Sequence, residues 1–257
     1  MGGPTMDRDA WLDVVLESML ATWGLIARRS EGGRAIERDG VFAAVVPATP
    51  KRSVSNSVIY TDPVALAASL DELASAYDEA GVDAWTVWVP EDDAVAIRAL
   101  ERAGHVLDAE PRAMGAELDA IERPDLGELD WFRDCDLAAV ARVNDEAYGY
   151  GDEGFAPVIT RLDTDEVHTY GVRVDGETAG VMVAIDAGDD TEIAWVATSE
   201  AARGRGLATA LMRQSLWDAR ERGRRTSTLQ ATKLGAPVYE RVGFRDLGAL
   251  QMWERRR

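Results

Sequence analysis

The chain has 257 residues, a formal net charge of -18, 46% hydrophobic residues and one cysteine, Cys135. At roughly 100–200 residues per domain, this length suits two small domains or one large one, and the apolar content excludes wholesale disorder. The acidic balance argues against nucleic-acid and anionic-membrane partners, and one cysteine allows neither an internal disulfide nor a cysteine metal cluster. No apolar run reads as long enough to span a bilayer, and residues 1–11 lack the basic start and apolar stretch of a signal peptide, so a cytoplasmic setting is expected.

Trp11, Val14, Val15, Met19 and Leu20 fall at helical spacing and predict an amphipathic helix over 9–28. Val41 to Val46 and Val54 to Tyr60 read as strands, separated by a loop containing Pro47 and Pro50. Asp62-Pro63 supplies an N-cap and a first-turn proline for a helix that reaches Glu79 and stops at Gly81. A strand from Ala84 to Val89 follows, then a helix from Asp92 to Arg102 ending at Gly104, then a strand from Arg112 to Leu118. Residues 119–130 hold Pro124, Gly127 and little periodicity, which sets a boundary between domains 1–122 and 126–257.

In the second half, Asp136 to Ala147 reads as a helix. Val167 to Val174 and Thr178 to Ile185 are strands joined at Asp175-Gly176, a hairpin signal. Thr191 to Thr198 is a strand, Leu207 to Glu221 a long helix ending at Gly223, and Thr226 to Ala231 a strand. Ala236 to Arg241 forms a short helix, and two strands close the chain around Gly248. Ala99-Leu-Glu-Arg-Ala-Gly-His105 parallels Val238-Tyr-Glu-Arg-Val-Gly-Phe244, and both halves end strand, helix, glycine, strand. This reads as an internal duplication.

The segment from Val196 to Ala208 runs from a strand through a loop of glycine and arginine into a helix. Gly204 and Gly206 allow a tight turn and a close ligand, and the unpaired N–H groups at the start of the Leu207 helix form an anion site. Arg203 and Arg205 add charge-assisted bonds, and residues 201–225 hold seven arginines against only Asp218 and Glu221. A pyrophosphate suits such a loop. Leu207 and Ala208 stand where a mononucleotide loop needs Lys and Ser or Thr, and the six-residue dinucleotide glycine pattern is absent.

Arg203, Gly206 and Ala208 fill the pattern Arg-x-x-Gly-x-Ala, and Tyr239-Glu240-Arg241-Val242-Gly243-Phe244 follows one helix and one strand later. In this order the two motifs resemble the GCN5-related N-acetyltransferase (GNAT) family, across the whole second half. The resemblance implies a mixed α+β fold of two tandem GNAT-like domains, the first degenerate. Each is a twisted, mostly antiparallel sheet flanked by helices, and the second carries a splayed parallel pair, Thr191 to Thr198 and Thr226 to Ala231. It implies acetyl-CoA as cofactor, held by Val196, Ala197, Thr198, Arg203, Gly204, Arg205, Gly206, Leu207, Ala208, Thr209, Thr232 and Tyr239. Thr232 stands where many members carry Asn.

By the same resemblance, a backbone N–H near Val196 to Thr198 polarises the thioester carbonyl, and Tyr239 protonates the leaving thiolate. Glu192 is the candidate base. Strand alternation puts Glu192, Ala194, Val196 and Thr198 on one face, and whether that face meets the substrate is left open. Asp152, Glu153 and a water chain are the other candidates. Asn144, Tyr148, Tyr150 and Phe155 are expected to line the acceptor pocket, where aromatic rings beside acidic groups suit a cationic amine.

The expected acceptor is a small-molecule amine. A protein N-terminus or lysine, or non-catalytic acyl-CoA binding, are the alternatives. The first half lacks the loop, and Asp62 would repel a pyrophosphate, so it is expected to complete the acceptor pocket or to pack as a pseudo-dimer partner. The whole is expected to be a monomer or homodimer without metal. His105, His168 and Cys135 read as structural, and the eight tryptophans mostly as core.

Overall fold

The computed structural model describes residues 6–257. The first half holds helix α1 (Arg8–Arg29), strands β1 (Arg34–Arg38), β2 (Val41–Val45) and β3 (Ser57–Tyr60), helix α2 (Pro63–Glu79), β4 (Ala84–Pro90), α3 (Ala94–Arg102), β5 (Val106–Ala109) and β6 (Arg112–Glu117). The second holds β7 (Trp131–Arg133), α4 (Leu137–Tyr148), α5 (Ala156–Ile159), β8 (Val167–Val174), β9 (Glu177–Ala187), β10 (Asp190–Thr198), α6 (Leu207–Glu221), β11 (Thr226–Ala231), α7 (Ala236–Glu240) and β12 (Arg245–Arg256).

Local signals set most of these elements. Asp7, Asp62, Asp93 and Asp136 cap α1, α2, α3 and α4 by accepting first-turn N–H bonds. The β8–β9 turn places both Asp175 and Gly176 at positive φ, as a two-residue hairpin requires. By length and composition α1 is also apolar enough to cross a membrane, which corrects the sequence expectation. In the fold its Trp11, Val15, Met19 and Ile26 are buried against the sheet, so it serves as a core helix.

All strands join one mixed sheet in the order β1-β2-β3-β4-β12-β6-β11-β10-β9-β8-β7, with β5 also on β12. Pairing is antiparallel except for β3–β4 and β10–β11. Alternate residues of the strands feed opposite faces: Phe42 and Ala44 pack with α1, while Val41, Ala43 and Val45 pack with α2. Helices α1, α4 and α5 cover one face, and α2, α3, α6 and α7 the other.

The halves exchange their last strands. β6 pairs with β11, from Arg112↔Ala231 to Glu117↔Thr226. The far end of β12 pairs with β4, from Leu250↔Pro90 to Arg256↔Ala84. Residues 119–130 separate the halves along the chain, while the sheet runs through both.

Four local expectations change. The two closing strands are one strand, β12, whose register shifts between Asp246 and Ala249 where Gly248 has φ 111°. The strand placed at Val54 starts at Ser57, because the buried Asn56 amide accepts from Val46 N–H at 2.7 Å and donates to the Thr49 and Arg52 carbonyls, folding the preceding loop. Strands β1, β5 and β7 add to the expected set, and α5 adds a short helix.

Candidate functional site

The site begins where two parallel strands part. β10 and β11 pair through Asp190↔Thr226, Thr191↔Ser227 and Glu192↔Thr228 and no further. Beyond Glu192, β10 bulges: its register with β9 shifts between Ala194 and Ala197, and Trp195 takes φ 46°. A left-handed non-glycine residue costs about 1–2 kcal/mol. Packing holds it there, with the Trp195 ring edge-on to Phe155 at 6.5 Å. The bulge also breaks the alternation predicted for this strand, so Glu192, Ile193, Ala194, Trp195 and Val196 all line one cavity.

That cavity measures about 260 Å³. All four residues expected at the acceptor pocket, Asn144, Tyr148, Tyr150 and Phe155, line it, as do Glu192, Val196, Thr232 and Tyr239. Tyr148 and Tyr150 stack at 5.5 Å, Tyr150 meets Phe155 edge-on at 5.4 Å, and Tyr148 Oη donates to the Val196 carbonyl at 3.4 Å. The first half supplies walls that sequence reasoning missed: Thr22 and Trp23 from α1, then Val54, Trp88 and Pro111. Gln230 and Met252 were missed as well, and Trp23, Trp88 and Trp195 face the cavity where core positions were expected.

Glu192 is 2% exposed, and burial pushes its carboxyl up to about 7. Thr22 and Gln230 lie beside it and oppose the rise, while the nearby Asp190 charge adds to it. Glu192 Oε2, Thr22 Oγ1 and Gln230 Nε2 are all buried without a hydrogen-bond partner. Asp190, outside the cavity lining, accepts from Ser18 and Thr228 hydroxyls at 2.7 Å each, and is also raised by burial. The other carboxylate candidates lie elsewhere: Glu153 pairs with Lys51 at 2.9 Å, and Asp152 is exposed in the same loop.

Tyr239, on α7, packs edge-on to Phe244 at 6.1 Å. Burial, with a smaller contribution from Tyr148, pushes its phenol well above its ordinary value near 10, so the group is a neutral donor throughout the neutral range. Thr232 Oγ1, in the preceding loop, accepts from Gly235 N–H at 3.2 Å.

The Arg203–Ala208 loop lies at the end of the splayed strand. Gly204 and Gly206 both have φ 76°, and a Cβ built on either meets nothing within 4 Å, so the backbone is open to a ligand. Gly206 is the N-cap of α6 and offers no side chain to its first-turn N–H groups. By contrast, Asp62 fills the corresponding position of α2 and accepts from Val64 N–H at 2.8 Å. One helix start is thus open to an anion and the other is closed by a carboxylate. The loop fits a pyrophosphate.

The basic segment divides. Arg203 donates to the Ala147 carbonyl at 2.9 Å and ties the loop to the end of α4, while Arg205 lies exposed in the loop. Arg220, Arg222, Arg224 and Arg225 serve the far end of α6, bonding Ile121, Asp186, Gly188 and Asp189. Thr198 accepts from Arg203 at 3.4 Å; Ala197 and Leu207 are buried, and Ala208 and Thr209 are half-buried in the first turn of α6.

The other reactive side chains are structural. His105 is buried edge-on against Trp85 at 4.5 Å and is held down to about 4 by burial. His168 contacts Asp186 at 3.3 Å. Burial pushes the Cys135 thiol up to about 11.

Comparison with known proteins gives the same fold. Residues 165–246 match the acetyltransferase (GNAT) domain. A GCN5-related N-acetyltransferase from Kribbella flavida superposes with TM-score 0.71 at 15% identity, covering 94% of each chain. One from Sphaerobacter thermophilus gives TM-score 0.60 at 18% identity, over 96% of this chain and 91% of that one. A tandem GNAT protein from the clavulanic acid biosynthesis pathway gives 0.58 at 15% identity, over 88% and 80%. A search of curated protein sequences returns no match. Residues 165–246 are therefore similar to the acetyltransferase (GNAT) domain, and the chain as a whole has the fold of the solved GCN5-related N-acetyltransferases.

Proposed function

We propose that the protein transfers an acetyl group from acetyl-CoA to the primary amine of a small molecule by direct attack. The observation that carries this reading is convergence: the open anion loop lies at one end of β10, and a buried carboxyl and a buried phenol share the cavity beside that strand. When bound, acetyl-CoA supplies a thioester as acyl donor. Transfer forms a nitrogen–carbon bond and breaks the carbon–sulfur bond, so the amine must lose a proton and the thiolate must gain one.

Glu192 is the group suited to take the amine's proton. A carboxyl near 7 is a far better base at neutral pH than an ordinary one. Tyr239 is the group suited to return a proton to sulfur, being neutral and on the same cavity. The bulge after Ala194 interrupts the β9–β10 ladder and leaves Val196 N–H as the candidate donor to the carbonyl. Arg205 and the first-turn N–H groups of α6 would hold the pyrophosphate, and Arg203 would brace the loop.

A small acceptor is supported over a protein chain because the cavity is small, about 260 Å³, and walled by both halves. The first half, in this reading, is a degenerate copy that gave up donor binding and kept a share of the acceptor wall. The core role of α1 is consistent with a cytoplasmic enzyme.

Calorimetry with acetyl-CoA tests the reading directly. Wild type should bind, and Gly206→Trp, which needs a left-handed backbone that Trp rarely adopts, should not. Absence of binding by wild type would overturn it.

A further inference from the structure

Resting on the acyl-transfer reading, we propose that the acceptor is a monoamine with a flat, apolar body, such as an arylalkylamine, rather than a polyamine, an amino sugar or an amino acid. The cavity lining is of two kinds. One is polar. Among the described residues Glu192 is the sole charged one in the lining, and Glu192 Oε2, Thr22 Oγ1 and Gln230 Nε2, buried without a partner at normal hydrogen-bond geometry, all belong to lining residues. Buried polar atoms ordinarily have partners, and a group of them around one carboxyl marks the place of an absent hydrogen-bonding group. An amine supplies what that carboxyl lacks.

The other is aromatic and apolar, supplied by Trp23, Trp88, Trp195, Tyr150, Phe155 and Met252. Flat rings packed edge-on against one another offer faces to a planar apolar body and few partners to a polyhydroxylated one.

Charge matching excludes the other classes. With one carboxylate in the lining, the second ammonium of a polyamine is left unpaired. Among the described residues no Arg, Lys or His lines the cavity, and Arg52, beside Tyr150, is engaged by the Glu153 and Tyr150 carbonyls, so the carboxylate of an amino acid meets no free cation in the lining. The volume, about 260 Å³, falls below the ~300–1,000 Å³ usual for drug-sized ligands and suits a small acceptor.

The test uses the full chain with acetyl-CoA and four amines: 2-phenylethylamine, butylamine, spermidine and L-phenylalanine. Thiol release, with the product mass checked, gives kcat/KM for each. 2-Phenylethylamine should exceed spermidine and L-phenylalanine by at least about tenfold and should exceed butylamine as well. Equal or better turnover of spermidine or L-phenylalanine overturns the proposal while leaving acyl transfer intact. A second measurement is independent of the donor. Trp23, Trp88 and Trp195 line the cavity, so intrinsic tryptophan fluorescence should change saturably with 2-phenylethylamine and not with L-phenylalanine. If acetyl-CoA fails to bind in calorimetry, the acyl-transfer reading falls, and this titration still decides the class of amine: no saturable change overturns it.

Discussion

Met252 and Trp88 face each other across the β4–β12 ladder, and both side chains line the same cavity, although one belongs to each half of the chain. The cavity wall is therefore built on an exchanged strand. A fragment of residues 126–257 loses β6 from the edge of β11 and β4 from the edge of β12, and exposes two unpaired strand edges with their apolar faces. It should be insoluble or lack a cooperative unfolding transition. Circular dichroism against urea checks this, and a soluble, cooperatively unfolding fragment would contradict it.

Glu192 should govern the pH dependence of turnover. A base must be deprotonated to act, so kcat/KM should rise with pH through about 7 and then level off. Glu192→Gln should lower kcat by at least about 100-fold and abolish this limb of the profile. An unchanged limb in the variant would assign the base to another group.

The same carboxyl should leave a mark on stability. Its folded value, about 7, lies above its ordinary 4.5, so between these the folded chain holds a proton that the unfolded chain releases. Stability is then full at low pH in this window and falls as pH rises toward 7, by up to about 3 kcal/mol. Urea midpoints of wild type and Glu192→Gln, compared from pH 5 to 8, should diverge in favour of the variant as pH rises. Parallel curves would contradict the assignment.

Tyr239→Phe keeps the ring that packs on Phe244 and removes only the hydroxyl. The expected result is a fall in kcat of about 100-fold, with acetyl-CoA affinity within a few-fold of wild type. Steady-state rates and calorimetry read the two separately.

Asp186 is the contrasting case. Arg222 donates to it twice at 2.9 Å and His168 touches it at 3.3 Å, which together hold its carboxyl well below the usual range against the opposing effect of burial. The stability this contributes is present above the ordinary carboxyl range and lost as pH falls below it. Asp186→Asn should cost about 1–3 kcal/mol at neutral pH and leave acetyl-CoA binding unchanged. Thermal unfolding and calorimetry check both parts.

The sequence showed some elements to the residue and hid others for identifiable reasons. Helix α6 and strand β11 were read with their observed bounds because glycines and charged turns bracket them and their apolar patterns are regular. β1 reads Arg-Ala-Ile-Glu-Arg, largely exposed and without strong alternation, and β5 is a short, mostly exposed strand, so neither announces itself. Gly248 looked like a turn because a bulge inside a strand uses the same residue.

The glycine–arginine loop and the four second-half residues that line the cavity were legible because the motif and its neighbours are local there. The walls from α1 and β4 were not. Trp23 and Trp88 have the same local pattern whether their rings face a core or a cavity, and only the packing of α1 on the sheet and of β4 beside β12 brings them to the cavity that Glu192 lines.

That exchange also sets an order of assembly. During synthesis, β4 is made long before residues 250–256, its neighbour on the β12 side. Until those residues leave the ribosome, the first half has a complete set of helices and an open sheet edge. Joining β4 to β12 and β6 to β11 links partners far apart along the chain, which makes closure slow compared with the local hairpins. A chain that stops before β12 leaves the β4 and β6 edges it covers unpaired, a state prone to aggregation.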